Sequence, residues 1–249
     1  MVMGKDGQKL SKRHGSTSMR EFRSEGYLPE AVINYVSMVG WSYDDEREFF
    51  SKQDLEELFD IRKINKAPGV FDYKKLAWFN GQYIRKKDDK ELQELLLPYL
   101  QKENIVSDPP TDTEQEVLDG MMPLVKERLK QLTEVADVVR FLFRDVQIED
   151  PDQLVPKKGS RQDAERALQT SLELLEGFGG RTDEENEILF REAAEKLEMK
   201  LGALLMPLRV AVTGSSASPP LFGSIRLLGV DVAGERVKRA LQLFKKGQE

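Results

Sequence analysis

An all-α protein built from helix pairs and short loops is what this sequence predicts, and three observations carry the prediction. Side chains suited to capping helices recur along the chain, apolar residues return at three- and four-residue intervals, and no alternating apolar and polar run of any length is present. Only the opening "VMG" and an internal "GVF" have the character of strand ends.

Taken in order, Ser18 is placed to cap a short helix ending near Gly26. Pro29 stands where a first-turn proline belongs and opens "PEAVINYVSMVG", with Gly40 as its stop. Ser51 followed by Asp54 reads as a capping box for "KQDLEELF", and Asp72 as the cap of "YKKLAWFNGQYIRKK". Between Asp89 and Asn104, the residues Leu92, Leu95, Leu96, Tyr99 and Leu100 share one face, and Pro98 predicts a kink or a late break. "SDPPTDTEQE" resists a helix until Thr111 or Thr113 starts the next one, so a domain boundary is expected nearby.

A further helix begins at Thr133 and breaks at "EDPDQLVPKKGS". Beyond Ser160 come "RQDAERALQTSLELLEGF", "TDEENEILFREAAEKLEM", "LGALLMPLRVAV", "PPLFGSIRLLG" and "VAGERVKRALQLFKK". In the second of these Leu189, Ala193 and Leu197 recur every four residues, and in the last Val237, Leu241 and Phe244 keep one side. Ser218 is expected to cap the fourth, with Pro219 in its first turn. The expected domains are residues 1–88, 89–150 and 151–249.

A chain of 249 residues buries a sizeable core without staples. Its 39% hydrophobic and 33% charged residues describe a soluble globular protein, and no apolar run is long enough to cross a bilayer. The absence of cysteine excludes disulfides and thiol catalysis, and a single histidine leaves no metal site to expect. No secretory signal is visible, which fits a cytoplasmic protein. A net charge of −6 argues against indiscriminate nucleic-acid binding but permits a shaped partner met by local basic patches. Opening directly on "MVMGKDG" leaves almost no room for an element before the first loop, so an upstream portion is expected to be missing.

That loop, "GKDGQKLSKRHG" at residues 4–15, gathers three lysines, an arginine and the only histidine of the chain. Gly4, Gly7 and Gly15 bracket a stretch able to move, and inside it Lys9 and Lys12 stand three apart with Ser11 between them. Ammonium groups on long stems follow charge as it develops on phosphate oxygens, while a hydroxyl and backbone N–H groups fix the geometry. The spacing is not that of a Walker A loop. On composition alone the stretch also reads as a solvated basic terminus. His14 reads as a packing residue of the loop rather than a general base, because no carboxylate or nucleophile is visibly placed to work with it.

"KLSKRHG" resembles the mobile KMSKS signature of class I aminoacyl-tRNA synthetases, in the form typical of bacterial-type glutamyl-tRNA synthetases. The resemblance continues through "EGYLPEAVINYVSMVGWS", similar to the helical segment after that loop, and "APGVFDYKKLAWFNGQYIR", similar to the stem-contact region. It ends with "RVAVTG", "SPPLF" and "LLG", similar to the close of the C-terminal anticodon-binding domain. It implies that Lys9, Ser11 and Lys12 bind ATP, delivered with Mg²⁺. Lys9 and Lys12 would sit over the phosphates while glutamate attacks the α-phosphate, with Lys12 the principal charge stabiliser at about 3 to 5 kcal/mol. Arg13 replaces the usual final serine, yet the Arg-His-Gly ending is itself the glutamyl-type variant.

The His-Ile-Gly-His-type motif of the family is absent, so the nucleotide-binding fold is expected on a missing N-terminal catalytic domain, and the chain alone is expected to be inactive. What remains implies a monomeric arm that binds a glutamate-accepting tRNA and no membrane; a free-standing tRNA-binding module without catalysis is the alternative. A glutaminyl enzyme would share the loop, but its anticodon-reading part resembles β-barrels, for which this chain offers no strands.

Candidate contacts are the basic residues Lys74, Lys75, Arg85, Lys86 and Lys87 around one helix, beside Trp78, Phe79 and Tyr83. Trp78 and Tyr83 read as core packing before they read as stacking surfaces for bases. By position in the family's first anticodon-binding domain, Arg128 is the candidate for sensing the first anticodon base. It reads equally as a helix-surface arginine paired to Glu127 or Glu134. Lys157 is the candidate phosphate contact further on. The "VTGSSASPPLFG" loop reads as a structural turn, with direct RNA contact as its alternative, and carries Ser215 where family members often have a basic residue.

Overall fold

The computed structural model describes residues 1–44 and 46–246. Among these the regular elements are helical apart from one pair of two-residue strands. The pair joins the two segments with strand character: β1 (Val2–Met3) runs parallel to β2 (Gly69–Val70), with Val2 opposite Gly69 and Met3 opposite Val70. Two compact units form, one from Met1–Glu103 with Val125–Ala136, the other from Asn104–Leu124 with the residues from Asp137 onward.

The first unit contains α1 (Met19–Ser24), α2 (Pro29–Ser37), α3 (Lys52–Leu58), α4 (Tyr73–Lys86) and α5 (Asp89–Lys102). Their starts follow from local chemistry. Ser18 and Glu21 form a reciprocal capping box, as do Ser51 and Asp54, and the Asp72 carboxylate accepts the N–H groups of Lys74 and Lys75. Pro98 does not end α5. The helix runs on to Lys102 because Leu92, Leu96 and Leu100 are all fully buried and hold it in register across the missing N–H.

The core of this unit is aromatic. Phe22, Tyr27, Tyr35, Phe71 and Phe79 pack with Val32 and Leu76, with edge-to-face contacts at 5.7 Å for Phe22–Tyr27 and 5.0 Å for Tyr35–Phe71. Buried amides organise its polar interior. Asn80 on α4 accepts the Leu28 N–H at 2.7 Å and donates to the carbonyls of Gly26 at 3.2 Å and Lys130 at 2.6 Å. Asn34 accepts from the Phe50 N–H at 2.9 Å and the Tyr83 hydroxyl at 2.6 Å. Gly26 is required where it stands: its φ is +81°, and a Cβ there would lie 2.7 Å from the backbone nitrogens of Leu132 and Thr133. Asn80 and Gly26 thereby fix the 125–136 segment against the corner between α1 and α2.

The second unit contains α8 (Arg161–Leu175), α9 (Asp183–Lys196), α10 (Leu201–Thr213), α11 (Leu221–Leu228) and α12 (Val230–Lys246). The helices α6 (Asp112–Val125) and α7 (Val135–Phe143) carry the chain between the units. Of the two threonines before α6, Thr111 is the cap: its hydroxyl accepts the Glu114 N–H at 3.3 Å, and the Glu114 carboxylate accepts the Thr111 N–H at 2.8 Å. The core is aliphatic, with Leu168, Leu204, Leu208, Val212, Ile225 and Val237 around Phe178 and Phe190.

On α9 the four-residue series Leu189, Ala193 and Leu197 is half-buried, with Ala193 and Leu197 packed against the core, beside the fully buried stripe of Asn186, Phe190 and Ala194. One expectation is corrected here. Ser218 is not a helix cap. Pro219 and Pro220 each bar the preceding residue from helical backbone, so α11 starts at Leu221, and the buried Ser218 hydroxyl is held by Arg209 Nη1 at 2.5 Å.

A buried arginine ties this unit together. Arg236 donates to the carbonyls of Val212 at 2.6 Å and of Phe141 and Arg144 at 3.0 Å each, satisfying acceptors at the ends of α7 and α10. Among the described residues no helix is long and apolar enough to cross a membrane.

Candidate functional site

The loop at residues 4–15 is a built structure. The Gly4 N–H donates to the Gln8 carbonyl at 2.8 Å and the Gly7 N–H to the Gly4 carbonyl at 3.1 Å, closing one turn; Lys9 then bridges back to Met3 of β1. Ser11 leads into a 3₁₀ turn over Lys12–His14. Lys9 and Lys12 are exposed, and among the described residues no carboxylate lies within ion-pair distance of either. Ser11 is half-buried with its hydroxyl 3.0 Å from His14 Nδ1. The loop thus brings Lys9, Ser11 and Lys12 together on one short span, with both ammonium groups open to solvent.

The basic residues near this span divide by what they touch. Lys5 pairs with Asp72, the α4 cap, at 2.9 Å, and that hydrogen bond with the backbone N–H groups of Lys75 and Lys74 holds the Asp72 carboxyl below the usual range. His14 has close neighbours after all: Nε2 lies 3.1 Å from both Asp6 oxygens, and Nδ1 faces Ser11. The expectation that no carboxylate or hydroxyl is placed with it is corrected; both partners lie within eight residues, but neither the Asp6 nor the Ser11 spacing announces itself in sequence. The Gln8 N–H and then His14 hold Asp6 below the ordinary carboxylate range. This serine, histidine and aspartate do not form a base-activated nucleophile. The Nδ1 that faces the hydroxyl is also taken up by the Ser11 backbone, 3.0 Å from its amide nitrogen and 3.2 Å from its carbonyl oxygen, which leaves the loop-packing role.

Of the five basic residues four lie on α4 and Lys87 caps its C-terminus, and they form two groups at opposite ends of this 14-residue helix, about 20 Å long at 1.5 Å per residue. Lys74 is exposed beside the N-terminus, where Lys75 pairs with Glu48 at 2.5 Å. At the other end Lys86 lies over the Phe49 ring at 4.8 Å, and Arg85 is 3.9 Å from Glu127. Lys87 lies between Glu30 at 2.5 Å and Glu91 at 2.6 Å; burial works against its charge, but the two carboxylates carry its pKa above the ordinary value. Trp78 is 43% exposed, with its ring 5.1 Å from Phe79 and 5.6 Å from Phe49, so it edges the core instead of filling it. Tyr83 is a core residue whose hydroxyl bonds Asn34 and the Phe50 carbonyl; burial pushes its pKa up to about 12.

Arg128 stands in the turn after α6, not on a helix, and its side chain is exposed. The two carboxylates offered as its partners are engaged elsewhere: Glu127 faces Arg85, and Glu134 accepts the N–H groups of Lys130 at 2.7 Å and Gln131 at 3.1 Å. Lys126 anchors the same turn, donating to the Lys87 carbonyl at 2.6 Å and pairing with Asp89 at 2.5 Å. Through Lys126 and Glu127 the turn that carries Arg128 is seated beside the Arg85–Lys87 end of α4, a juxtaposition across some forty residues that sequence spacing does not reveal.

Lys157 lines a cleft of about 1150 Å³ in the second unit, bounded by the start of α8, the α9–α10 turn and the loop after α10. Its neighbour Lys158 adds positive charge there, as do Arg166 and Lys200, which sequence reading missed because they come from two other segments; Glu198 also lines the cleft. Asp163, also on the cleft, is taken up in capping α8 through the Ser160 N–H and hydroxyl, which hold its carboxyl below the usual range. Ser215 and Ser216 close the far wall.

Comparison with known proteins places the chain. Residues 91–241 match the family described as "Anticodon binding domain", and residues 1–78 match "tRNA synthetases class I (E and Q), catalytic domain". The chain belongs to the anticodon-binding-domain family. It is similar to proteins named glutamate–tRNA ligase: that of Borreliella burgdorferi is 48% identical over 98% of this chain and 50% of the relative, and that of Treponema denticola 46% over 97% and 51%. The crystal structure of a glutamate tRNA ligase from Elizabethkingia meningosepticum in complex with its amino acid superposes with a TM-score of 0.71 at 26% identity, over 97% of this chain and 50% of that one. The chain spans about half the length of the curated relatives it matches.

Proposed function

We propose that this chain supplies the phosphate-binding loop, the stem contact and the anticodon-reading part of a glutamate–tRNA ligase, acting in the cytoplasm. The observation that carries this reading is the succession on one chain of a class I catalytic-domain match over residues 1–78 and an anticodon-binding match over 91–241. The exposed Lys9 and Lys12 support it, since two free ammonium groups and a hydroxyl within four residues are the donor set a triphosphate needs.

When bound, ATP with Mg²⁺ supplies the α-phosphate that the glutamate carboxylate attacks and the pyrophosphate that departs. Toward it, Lys9 and Lys12 hold phosphate oxygens, Lys12 opposing the charge that grows there, and Ser11 steadies the turn between them. The tRNA meets the Lys74–Lys75 and Arg85–Lys87 ends of α4 through its phosphates, Arg128 at a base edge, and Lys157 again through phosphate.

Arg128→Ala and Lys157→Ala separate the two kinds of contact. Measured by filter binding across anticodon variants at one salt concentration, Arg128→Ala is expected to erase preference among anticodons. Lys157→Ala is expected to weaken every tRNA alike and to lower the salt slope by about one. Unchanged discrimination in Arg128→Ala removes that residue from the reading. With tRNA, glutamate and ATP, the chain alone is expected to charge nothing; robust charging refutes the division of labour.

A further inference from the structure

His14 is used by neither the phosphate chemistry nor the RNA contacts, yet its side chain is only 12% exposed in a loop that is otherwise open. Nδ1 lies 3.0 Å from the Ser11 amide nitrogen and 3.2 Å from the Ser11 carbonyl oxygen, and Nε2 lies 3.1 Å from both Asp6 oxygens, so the ring meets Ser11 on one side and Asp6 on the other. The imidazole therefore joins two turns that the backbone closes separately. One is the Gly4–Gln8 turn, which carries Asp6 and delivers Lys9; the other is the 3₁₀ turn that begins at Lys12. Gly4 makes the contact possible, because a Cβ there would lie 2.7 Å from His14 Cδ2.

We propose that His14 is a positioning residue: by bonding Asp6 on one turn and Ser11 on the other, it fixes the spacing at which Lys9 and Lys12 meet a polyphosphate. The inference rests on the reading of this loop as phosphate-binding. Without the ring, each turn keeps its own backbone bonds but loses the side-chain tie to the other, and the two ammonium groups sample many separations. A polyanion then has to order them on binding, which a pre-organised pair avoids.

The test has two arms. In the first, the chain itself is labelled with ¹⁵N and the His14 ring nitrogens and the backbone of residues 5–14 are followed by NMR. The expected signature is the Nε2–H tautomer, with backbone order parameters near those of the flanking helices. In His14→Ala the loop values are expected to fall below about 0.6 while α1 and α4 stay rigid. His14→Asn, which restores an acceptor near Nδ1, is expected to recover part of that order, and Asp6→Ala to lose the tautomer preference. An Nδ1–H ring in the unaltered chain, or equal loop order in His14→Ala, overturns the proposal.

In the second arm, the chain is joined to the nucleotide-binding half of the Borreliella burgdorferi relative, and glutamate-dependent ATP–pyrophosphate exchange is measured. His14→Ala is expected to raise the KM for ATP about tenfold with a smaller loss in kcat, whereas Lys12→Ala loses kcat by 100-fold or more. If Lys12→Ala is harmless, the phosphate reading fails; if Lys12→Ala is crippling and His14→Ala is silent, the positioning role fails alone. Should the joined protein be inactive without any substitution, the NMR arm decides.

Discussion

The two units of this chain are built from different materials. All six tyrosines and both tryptophans lie in the first unit, whose core is a stack of rings stitched by the buried amides of Asn34 and Asn80. The second contains neither residue type; its core is leucine, valine and alanine closed around phenylalanines and clamped by one arginine. Exposure differs as well: Met1, Val2, Met19, Ile61, Val70 and Trp78 leave apolar surface open on the first unit, against Ile188 and Val232 on the second. The lesson is that specific polar bonds define the first unit and close apolar packing the second, so the two should answer differently to perturbation.

The sharpest break is Asn80→Ala. It strands the Leu28 N–H and the Gly26 and Lys130 carbonyls in a dry interior, and a loss of about 3 to 5 kcal/mol is expected. Because both tryptophans lie in that unit, fluorescence-monitored urea unfolding should move to lower denaturant. An unmoved midpoint would show that the amide is dispensable.

Arg236→Met is the counterpart in the second unit. Three helix-end carbonyls lose their donor while the methionine refills the space, for an expected loss of about 2 to 3 kcal/mol. It should register in the circular-dichroism transition more than in tryptophan fluorescence; the reverse order would contradict the assignment of the clamp to this unit.

These two residues also mark where sequence reading stops. Caps were legible because they act within three residues: Ser18, Ser51 and Asp72 form the predicted bonds, and Thr111 is the cap among the two threonines offered. The pairing of "VMG" with "GVF" joins two segments flagged separately. Asn80 reaches across about fifty residues and Arg236 across more than ninety, and no local spacing encodes such partners. The candidate site divides in the same way. Lys9, Ser11 and Lys12 were readable as one loop, whereas the approach of the turn that carries Arg128 to the end of α4, through Lys126 and Glu127, and the placing of Arg166 and Lys200 beside Lys157, come from tertiary folding alone.

Alkaline pH offers a gentler separation of the units. Burial raises the pKa of Tyr27 and Tyr83 to about 12 each, above the model-peptide value near 10. With folded values above unfolded ones, the stability these phenols contribute is fully present below about pH 10 and is lost as pH rises through about 12. Tyrosinate absorbance should lag free tyrosine and then rise together with loss of tryptophan anisotropy, while the second unit holds no phenol to ionise. A simple titration near pH 10 for every tyrosine would contradict the burial of these two rings.

The smallest effect belongs to Asp145 and Arg239, a bidentate pair at 2.5 Å that holds the exposed carboxyl down to about 2. A depressed folded value means that its contribution is present above about pH 4 and is lost as pH falls toward 2. Solvent screening limits it to about 1 kcal/mol or less. Arg239→Gln should flatten that stretch of the acid-stability curve; an unaltered curve would show that the pair contributes nothing.

The central proposal is that this chain grips and reads a tRNA on its own. Direct titration of the unaltered 249-residue chain with a glutamate-accepting tRNA, beside the same tRNA with its anticodon replaced, tests it at a single salt concentration. Binding to the first that is at least tenfold tighter than to the second is the predicted result; equal binding of the two, or binding of neither, would contradict it.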